Sequence, residues 1–174
     1  KVRVDGAKWC STDNYNVKLE GAKITGYQTS LLALLREKNY VENAKTWVNN
    51  LSNFLEKQIE QKMKLDTSLY SLEFRIIGVN GTLGDLETKL NVPTEVGILC
   101  IVTSPKASIS NEIAKLINPF LLHYPLTNNE ELPTFAFPYS PVHSDRGAVY
   151  EFVLNHTLEL NYPMEAFKIE TLEV

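Results

Sequence analysis

The chain has 174 residues, 44% of them hydrophobic, and a formal net charge of −4. This size and composition predict one globular domain, residues 1–174, with a core of its own. The slightly acidic charge provides no electrostatic footprint for nucleic acid, and no apolar run approaches the roughly 20 residues that span a bilayer, so we expect neither nucleic acid nor a membrane as a partner.

The first predicted elements are a strand and a helical region. Residues 15–25 alternate apolar and polar side chains, which is typical of a strand. Over residues 29–65, apolar residues recur at spacings of three and four. This periodicity predicts a short helical piece and then a long helix at about 41–64, with an interruption at Asn39 and Tyr40.

Two strands and a helix follow. Residues 71–79 are rich in β-branched and aromatic side chains, and residues 94–104 contain a continuous apolar run. Ser104 and Pro105 have the residue types of an N-cap and a first helical position. The helix that they begin is expected to bend or end at Pro119.

A long connection and a final strand complete the chain. Residues 121–147 are rich in proline, and connections of this length tend to be functional. Residues 148–160 alternate as a strand does. The order β-α-β-β-α-β predicts an α+β fold of the ferredoxin-like, split βαβ type: a two-layer sandwich of a mostly antiparallel sheet with helices on one face.

The two cysteines, Cys10 and Cys100, do not form a C-x-x-C pair, and there are three histidines. A zinc site would need ligands from distant segments. We therefore predict free thiols in a cytoplasmic protein, with no metal and no cofactor. Cys100 lies in the apolar run VGILCIV, where a small core residue is expected.

The segment GVNGTLGDLE, residues 78–87, places three glycines directly after an apolar strand. It lacks the Lys-Ser/Thr end of a P-loop, and no clear helix follows it. Two interpretations stay open. Asn80, Gly81 and Gly84 either shape a hairpin connection, or their backbone amides line a ligand site together with the carboxylate of Asp85 or Glu87.

The segment FAFPYSPVHSDRGAVYEF, residues 135–152, concentrates polar side chains: Ser140, His143, Ser144, Asp145 and Arg146. Residues this close in sequence do not reach one another as a hydrolase triad does, and no G-x-S-x-G elbow occurs. Asp145 and Arg146 either form an exposed pair, or Arg146 binds a carboxylate with both of its terminal nitrogens.

Two further histidines have alternative interpretations. His123 ends the predicted helix, where the helix dipole favours a charged side chain. It is therefore either a capping residue or an acid–base group. His156 lies inside the last strand, where a hydrogen-bonded core histidine is favoured over a base or a ligand.

Five stretches together resemble the C-terminal portion of the acyclic terpene utilisation AtuA-like family: NVKLEGAKITGYQT, FRIIGVNGTLGDLE, EVGILCIVTSPKASISNEIAKL, LLHYP and FAFPYSPVHSDRGAVYEFVLNH. The segments that carry this resemblance most clearly are the NG-x-x-G turn at Asn80–Gly84 and the block Phe137–Phe152. Family members are longer and carry a large α/β portion ahead of this region. The resemblance therefore implies that the chain is the downstream piece or small subunit of a larger protein.

The chain departs from the family pattern in two places. Residues 124–134, YPLTNNEELPT, lack the glycines of the corresponding stretch, and Arg36-Glu37-Lys38 stands where relatives tend to show Arg-Asp-Pro. The positions carried over from the resemblance are Asn80, Gly81, Gly84, Glu87, His123, Ser140, Tyr150, Glu151 and His156.

Two functional hypotheses follow. In the first, the chain is a domain or subunit of an AtuA-like metabolic protein that acts on a carboxylic acid or an acyl-CoA in catabolism. Its catalytic candidates are His123 and Glu87, and its ligand-binding candidates are Asn80, Gly81, Gly84, Ser140 and Arg146. In the second, the chain is a non-catalytic assembly module that pairs with a larger α/β chain, or with copies of itself as a homo-oligomer.

Different structural features would favour the two hypotheses. A pocket that joins residues 78–87 to residues 135–147 would favour the enzyme component. A large exposed apolar patch on the sheet or the helices would favour the assembly module.

Overall fold

A computed structural model describes residues 2–11, 13–88, 92–128, 132–133 and 135–172. The chain divides into two compact units. Residues 24–150 make the first, which we call the sheet unit, and residues 1–23 with 151–174 make the second, which we call the ribbon unit.

The helices and strands, in chain order, are β1 (Tyr15–Leu35), α1 (Lys38–Glu42), α2 (Ala44–Met63), β2 (Ser71–Ile77), β3 (Val96–Ser104), α3 (Ala107–His123), β4 (Phe135–Ala136) and β5 (His143–Leu160). Two single turns of 3₁₀ helix, Thr67–Leu69 and Gly84–Leu86, flank β2. The α+β class predicted from the sequence is confirmed.

The strands β2, β3, β1 and β4 form an antiparallel sheet in that order, and β5 also pairs with β1. The pairing of β1 with β3 runs from Tyr27 opposite Ser104 to Leu35 opposite Val96. The strand β2 pairs with β3 along its whole length. The strands β1 and β3 therefore occupy the centre of the sheet.

The helices α2 and α3 pack on one face of this sheet and form its core. Alternate residues of the strands are buried on this face: Leu31, Ala33, Leu35, Ile76, Ile98, Cys100 and Val102. The helices contribute Trp47, Val48, Leu51, Leu55, Ile59, Ile113, Ala114, Ile117 and Leu121. Each fully buried large side chain stabilises the fold by roughly 1.5–3 kcal/mol.

The prediction that residues 29–35 begin a helical region is wrong. These residues, TSLLALL, lie in β1 and pair with β3. A short, continuous apolar run is compatible with a buried strand and with a buried helix, so periodicity alone does not decide between them. The interruption between the helices falls at Asn43, and the long helix begins at Ala44.

The ends of α3 also differ from the prediction. Ser104 is the last residue of β3 and not an N-cap, and its hydroxyl donates to the carbonyl of Lys106 at 2.7 Å. Pro119 lies inside α3, which continues to His123. The helix persists because Ile117 and Leu121, on either side of the proline, are both buried in the core.

Among the described residues, no helix covers the opposite face of the sheet. Its apolar side chains, which we call the open face, are Leu32, Leu34, Ile77, Leu99 and Ile101. The ion pair of Glu73 and Arg75 lies on the same face, opposite Ile101 and Leu99. Leu34 and Ile77 are 37% and 49% exposed. Both lie opposite Gly97 in the register. A Cβ atom on the buried Gly97 would lie 3.3 Å from the Cβ of Ile77, so the neighbouring side chains already fill the space above this glycine.

The ribbon unit contains residues 15–23 of β1 and 151–160 of β5. Successive side chains of a strand point to opposite faces. A Cβ atom on Gly21 would lie 3.2 Å from the Cβ of Leu154, so these two positions share a face.

The two faces of the ribbon differ in composition. The first, which we call the apolar ribbon face, carries Tyr15, Val17, Leu19, Phe152, Leu154, His156, Leu158 and Leu160. The second carries Asn16, Lys18, Glu20, Val153, Asn155, Thr157 and Glu159. Lys18 and Glu20 form an ion pair on this polar face. The ribbon is therefore amphipathic.

Candidate functional site

The glycine turn, residues 78–87, is fixed to the end of β2 by Asn80. The side-chain Oδ1 of Asn80 accepts a hydrogen bond from the backbone N–H of Ile76 at 3.1 Å. The backbone N–H of Asn80 donates to the carbonyl of Ile76 at 2.9 Å. The carbonyl of Asn80 accepts from the N–H of Gly84 at 2.9 Å. Asn80 thus organises the turn through three hydrogen bonds to protein groups.

The glycines of this turn have backbone roles. Gly78 and Gly84 have φ angles of +99° and +57°, which side chains disfavour. A Cβ atom on Gly81 would lie 3.1 Å from the Cα of Ile77. The half-buried Glu87 donates its backbone N–H to the carbonyl of Gly84 at 3.2 Å. The turn interpretation accounts for each glycine, and ligand binding by this segment stays a prediction.

His123 lies at the end of α3, as the sequence predicts. It is the last residue of the helix, and its side chain is exposed. In the described part of the chain, His, Cys, Asp and Glu side chains form no group of three or more that could hold a metal ion. A catalytic role of His123 therefore stays a prediction.

A cleft of about 370 Å³ lies on the sheet unit between β1 and the segment before and within β5. Its lining consists of Ser30, Leu32, Tyr139, Pro141, Val142, His143, Ser144 and Arg146. Ser140 is exposed and lies outside this lining. Leu32 also belongs to the open face, so the cleft borders that surface. Its lining combines the apolar side chains of Leu32, Pro141 and Val142 with the guanidinium group of Arg146.

Arg146 and Asp145 do not form the exposed pair that the sequence suggests. The Asp145 carboxylate instead accepts a hydrogen bond from the backbone N–H of Gly147 at 2.8 Å. Within the described residues, Arg146 forms no ion pair with a carboxylate. Its guanidinium group therefore faces the cleft without an acidic partner from the described chain.

The cleft does not include the glycine turn. That turn follows β2, and the strands β3 and β1 separate β2 from β4. Three strand spacings correspond to about 14 Å. No residue of 78–87 lines the cleft that contains Arg146. The two predicted ligand-binding segments, residues 78–87 and residues 135–147, therefore do not share this cleft.

The interpretation of His156 as a core residue is wrong. His156 is exposed, and so are Tyr150 and Glu151. The strand β5 continues beyond residue 150 into the ribbon unit, where no core surrounds it.

Two titratable groups have pKa values raised by burial, and both have structural roles. Burial raises the pKa of the Cys100 thiol, which is completely buried in the core. Burial, and then the charges of Glu56, Glu60 and Asp66, raise the pKa of Tyr70. Both shifts favour the neutral form, so neither side chain is an activated nucleophile or base.

The ribbon unit is the second candidate site. Leu160 is the single buried residue among its described residues. Its exposed large hydrophobic residues are Val2, Val4, Trp9, Tyr15, Leu19, Phe152, Val153, Leu154, Leu158, Tyr162, Met164, Phe167, Ile169 and Leu172. The sequence signal for this surface was the alternation in residues 15–19 and 148–160, which indicates two faces.

Comparison of the chain with protein-family models, curated proteins and solved structures finds no match. None of the described helices has the length and apolar character needed to cross a membrane. The function is therefore inferred from the geometry of the ribbon and the cleft.

Proposed function

We propose that the protein is a non-catalytic assembly module whose ribbon unit docks through its apolar face onto a partner protein. The observation that supports this most strongly is the exposure of that face. Phe152 is 76% exposed, and Leu154 and Leu158 are 42% and 41% exposed. A contiguous exposed apolar patch is typical of an interaction surface.

The stability of the ribbon gives the physical reason for docking. A two-stranded ribbon is marginally stable in water on its own. An amphipathic sheet becomes stable when a second layer covers its apolar face. Burial of each large side chain contributes roughly 1.5–3 kcal/mol. Covering Phe152, Leu154 and Leu158 would therefore supply the layer that the ribbon unit lacks within the described chain.

The charge distribution also favours docking by this face. Along residues 15–21 and 152–160 the apolar ribbon face carries no Asp, Glu, Lys or Arg, and Lys23 lies at its end. Covering residues 15–21 and 152–160 removes no permanent charge from water, which would be costly. Lys18 and Glu20 lie on the opposite face and stay in solvent. The resemblance to AtuA-like proteins supports a larger α/β chain as the partner, and the ribbon face alone is compatible with a second copy.

We also propose that the sheet unit is a variant of the ferredoxin-like, split βαβ arrangement. The succession β1-α2-β2-β3-α3-β4 and the position of both long helices on one face support it. The two-residue β4, which pairs with Leu34 and Leu35, would be the shortened last strand. A cytoplasmic location belongs to the same proposal and is supported by the free thiols.

A second candidate function is supported by the cleft. Arg146 lines it together with His143, and a guanidinium group binds carboxylates well. As a component of an AtuA-like metabolic enzyme, the domain would bind a carboxylic acid or an acyl-CoA there. Calorimetric titration with short carboxylates and acyl-CoAs tests this, with Arg146→Gln expected to abolish binding and Arg36→Gln to preserve it.

A pair of ribbon variants tests the assembly function. Leu154→Glu places a charge on the apolar ribbon face, and Asn155→Glu places the same charge on the polar face. In the wild-type assembly, we expect slow amide hydrogen exchange in residues 15–23 and 151–160. Leu154→Glu is expected to abolish that protection and the association seen by light scattering. Asn155→Glu is expected to retain both. Equal behaviour of the two variants would contradict the proposal.

A further inference from the structure

We infer that the free edge of β2 binds an extended segment of a partner protein, which pairs antiparallel with Leu72 and Phe74 as an added strand. The segment carries a basic residue between two apolar residues. This inference goes beyond the proposed function, because it concerns the sheet unit and does not depend on the ribbon.

The contacts of Asn80 show which backbone groups of β2 point away from β3. The N–H of Ile76 donates to Oδ1 of Asn80 at 3.1 Å, and its carbonyl accepts from the N–H of Asn80 at 2.9 Å. The N–H of Ile76 is therefore not donated to Ile98, its partner in β3. Because residues of an antiparallel strand alternate in this respect, Leu72 and Phe74 also direct their N–H and carbonyl groups to the outer edge.

These four groups are available to another strand. The strand β2 ends the sheet, and among the described residues Leu72 and Phe74 form no backbone hydrogen bond outside it. Natural edge strands are often blocked by a proline, a bulge or a charge. The sequence of β2, SLEFRII, has no proline, and it pairs with β3 residue for residue. Its two charges, Glu73 and Arg75, neutralise each other in an ion pair. The edge is therefore open along Ser71–Arg75.

The side chains of β2 specify the residues that an added strand carries. In strand addition, main-chain hydrogen bonds give affinity and alternate side chains give specificity. Directly opposite residues lie on the same face of a sheet. The residues opposite Leu72 and Phe74 therefore continue the helix-covered face, where both side chains are half-buried against the core, and apolar residues fit there. The residue between them lies beside the carboxylate of Glu73, where a basic side chain fits.

Pairing with β2 of a second copy fits this edge less well. Asn80 closes the edge at Ile76, so a copy that uses both open residues places Leu72 opposite Phe74. This register puts the two copies of Glu73 directly opposite each other. Like charges in this position are destabilising. The charge of Glu73 therefore favours a different protein as the source of the strand.

The acetylated and amidated peptide EVKVT is the probe, and it is added to the full chain. In antiparallel pairing, its two valines lie opposite Leu72 and Phe74, and its lysine lies opposite Glu73. Binding is expected to slow the amide hydrogen exchange of Leu72 and Phe74, which NMR measures residue by residue. The amides of Glu73 and Arg75 point towards β3 and are expected to change little.

Methylated peptides test whether main-chain hydrogen bonds carry the binding. N-methylation of both valines removes the donors to the carbonyls of Leu72 and Phe74, and it is expected to weaken binding at least about 10-fold. N-methylation of the lysine, whose N–H points away from β2, is the control and is expected to preserve binding. These changes leave the protein unaltered, so misfolding of a variant does not affect the result.

Charge reversal tests the specificity. The peptide EVEVT is expected to bind the wild type about 5-fold more weakly than EVKVT. Glu73→Lys, at a half-exposed side chain, is expected to reverse this preference. Glu112→Lys is the matched control, because Glu112 forms a similar exposed ion pair on α3, and it is expected to retain the wild-type preference.

Specific results overturn the inference. They are an absence of EVKVT binding, equal binding of EVKVT and its valine-methylated form, unchanged exchange at Leu72 and Phe74, and a Glu73→Lys variant that still prefers EVKVT. Slow exchange of these two amides in concentrated protein without peptide would assign the edge to a second copy instead. The proposed function is tested separately by Leu154→Glu, which is expected to bind EVKVT as the wild type does.

Discussion

The hydroxyl of Thr29 in β1 donates a hydrogen bond to the hydroxyl of Ser110 in α3 at 3.0 Å, and both residues are fully buried. The Ser110 hydroxyl in turn donates to the carbonyl of Ala107 at 3.0 Å. This chain of hydrogen bonds links the central strand to the first turn of the helix. It is a polar contact inside an otherwise apolar interface.

Removal of either hydroxyl is expected to destabilise the fold, and removal of both is expected to cost less than the sum. Thr29→Val removes one hydrogen bond, at roughly 1 kcal/mol. Ser110→Ala leaves the buried hydroxyl of Thr29 without its acceptor, at roughly 1–3 kcal/mol. The double variant removes the unsatisfied group as well. Urea unfolding of the four proteins measures the coupling, and additive changes would show that the two hydroxyls act independently.

Asn80 is expected to contribute to stability without any ligand. Asn80→Ala removes the acceptor of the Ile76 N–H, and we expect a loss of about 1–2 kcal/mol. Asn80→Asp retains an oxygen acceptor and is expected to stay within about 0.5 kcal/mol of the wild type. Urea unfolding without added ligand measures both. If Asn80→Ala unfolds at the wild-type midpoint, the turn hydrogen bond has no structural role.

The two cysteines are expected to differ in reactivity. Cys10 is exposed, whereas Cys100 is completely buried and its thiol pKa is raised by burial. A disulfide reagent at neutral pH is expected to label one thiol in the native protein and two in denaturant. The Cys10→Ser variant serves as the control. Rapid labelling of its remaining thiol under native conditions would contradict the burial of Cys100.

Tyr70 is expected to make stability fall at alkaline pH. Its pKa is raised from 10.0 in the folded protein, first by burial. The folded state therefore holds a proton that the unfolded state releases, and stability decreases as the pH rises above about 10. Tyr70→Phe is expected to show a shallower decrease. Thermal unfolding at a series of pH values measures this, and parallel curves for the two proteins would contradict it.

At neutral pH, Tyr40→Phe is the control for Tyr70→Phe, because both substitutions remove one buried tyrosine hydroxyl. The buried hydroxyl of Tyr70 has no hydrogen-bond partner among the described residues, so Tyr70→Phe is expected to be neutral or to stabilise by up to about 1 kcal/mol. The hydroxyl of Tyr40 accepts from the N–H of Leu126 at 3.0 Å. Tyr40→Phe is therefore expected to destabilise by about 1 kcal/mol.

The parts of the fold that could be predicted from the sequence are those where one pattern dominates. The helix α2 has a long stripe of apolar residues at helical spacing, and β3 has a run of β-branched and aliphatic residues. Residues 29–35 have no such pattern, because LLALL fits a buried strand as well as a helix. Their strand pairing with β3 joins segments more than sixty residues apart, which no local pattern encodes.

The candidate site was less predictable than the fold. The position of His123 at a helix end follows from local periodicity. The cleft beside Arg146 depends on the packing of its segment against Ser30 and Leu32 of β1, which lie far away in sequence. Alternation in residues 148–160 indicates that the strand has two different faces. It does not indicate whether another part of the chain covers the apolar one.

The contacts of Asn80 also affect which backbone groups are available at the edge of the sheet. The strand β2 lies at the edge of the sheet, and an edge strand offers unpaired backbone groups to any other chain. At the end of β2, the side chain and the backbone of Asn80 occupy both the N–H and the carbonyl of Ile76. A strand from a neighbouring molecule therefore finds that end of the ladder closed. Another strand therefore cannot extend the sheet at the Ile76 end of β2 without breaking these hydrogen bonds.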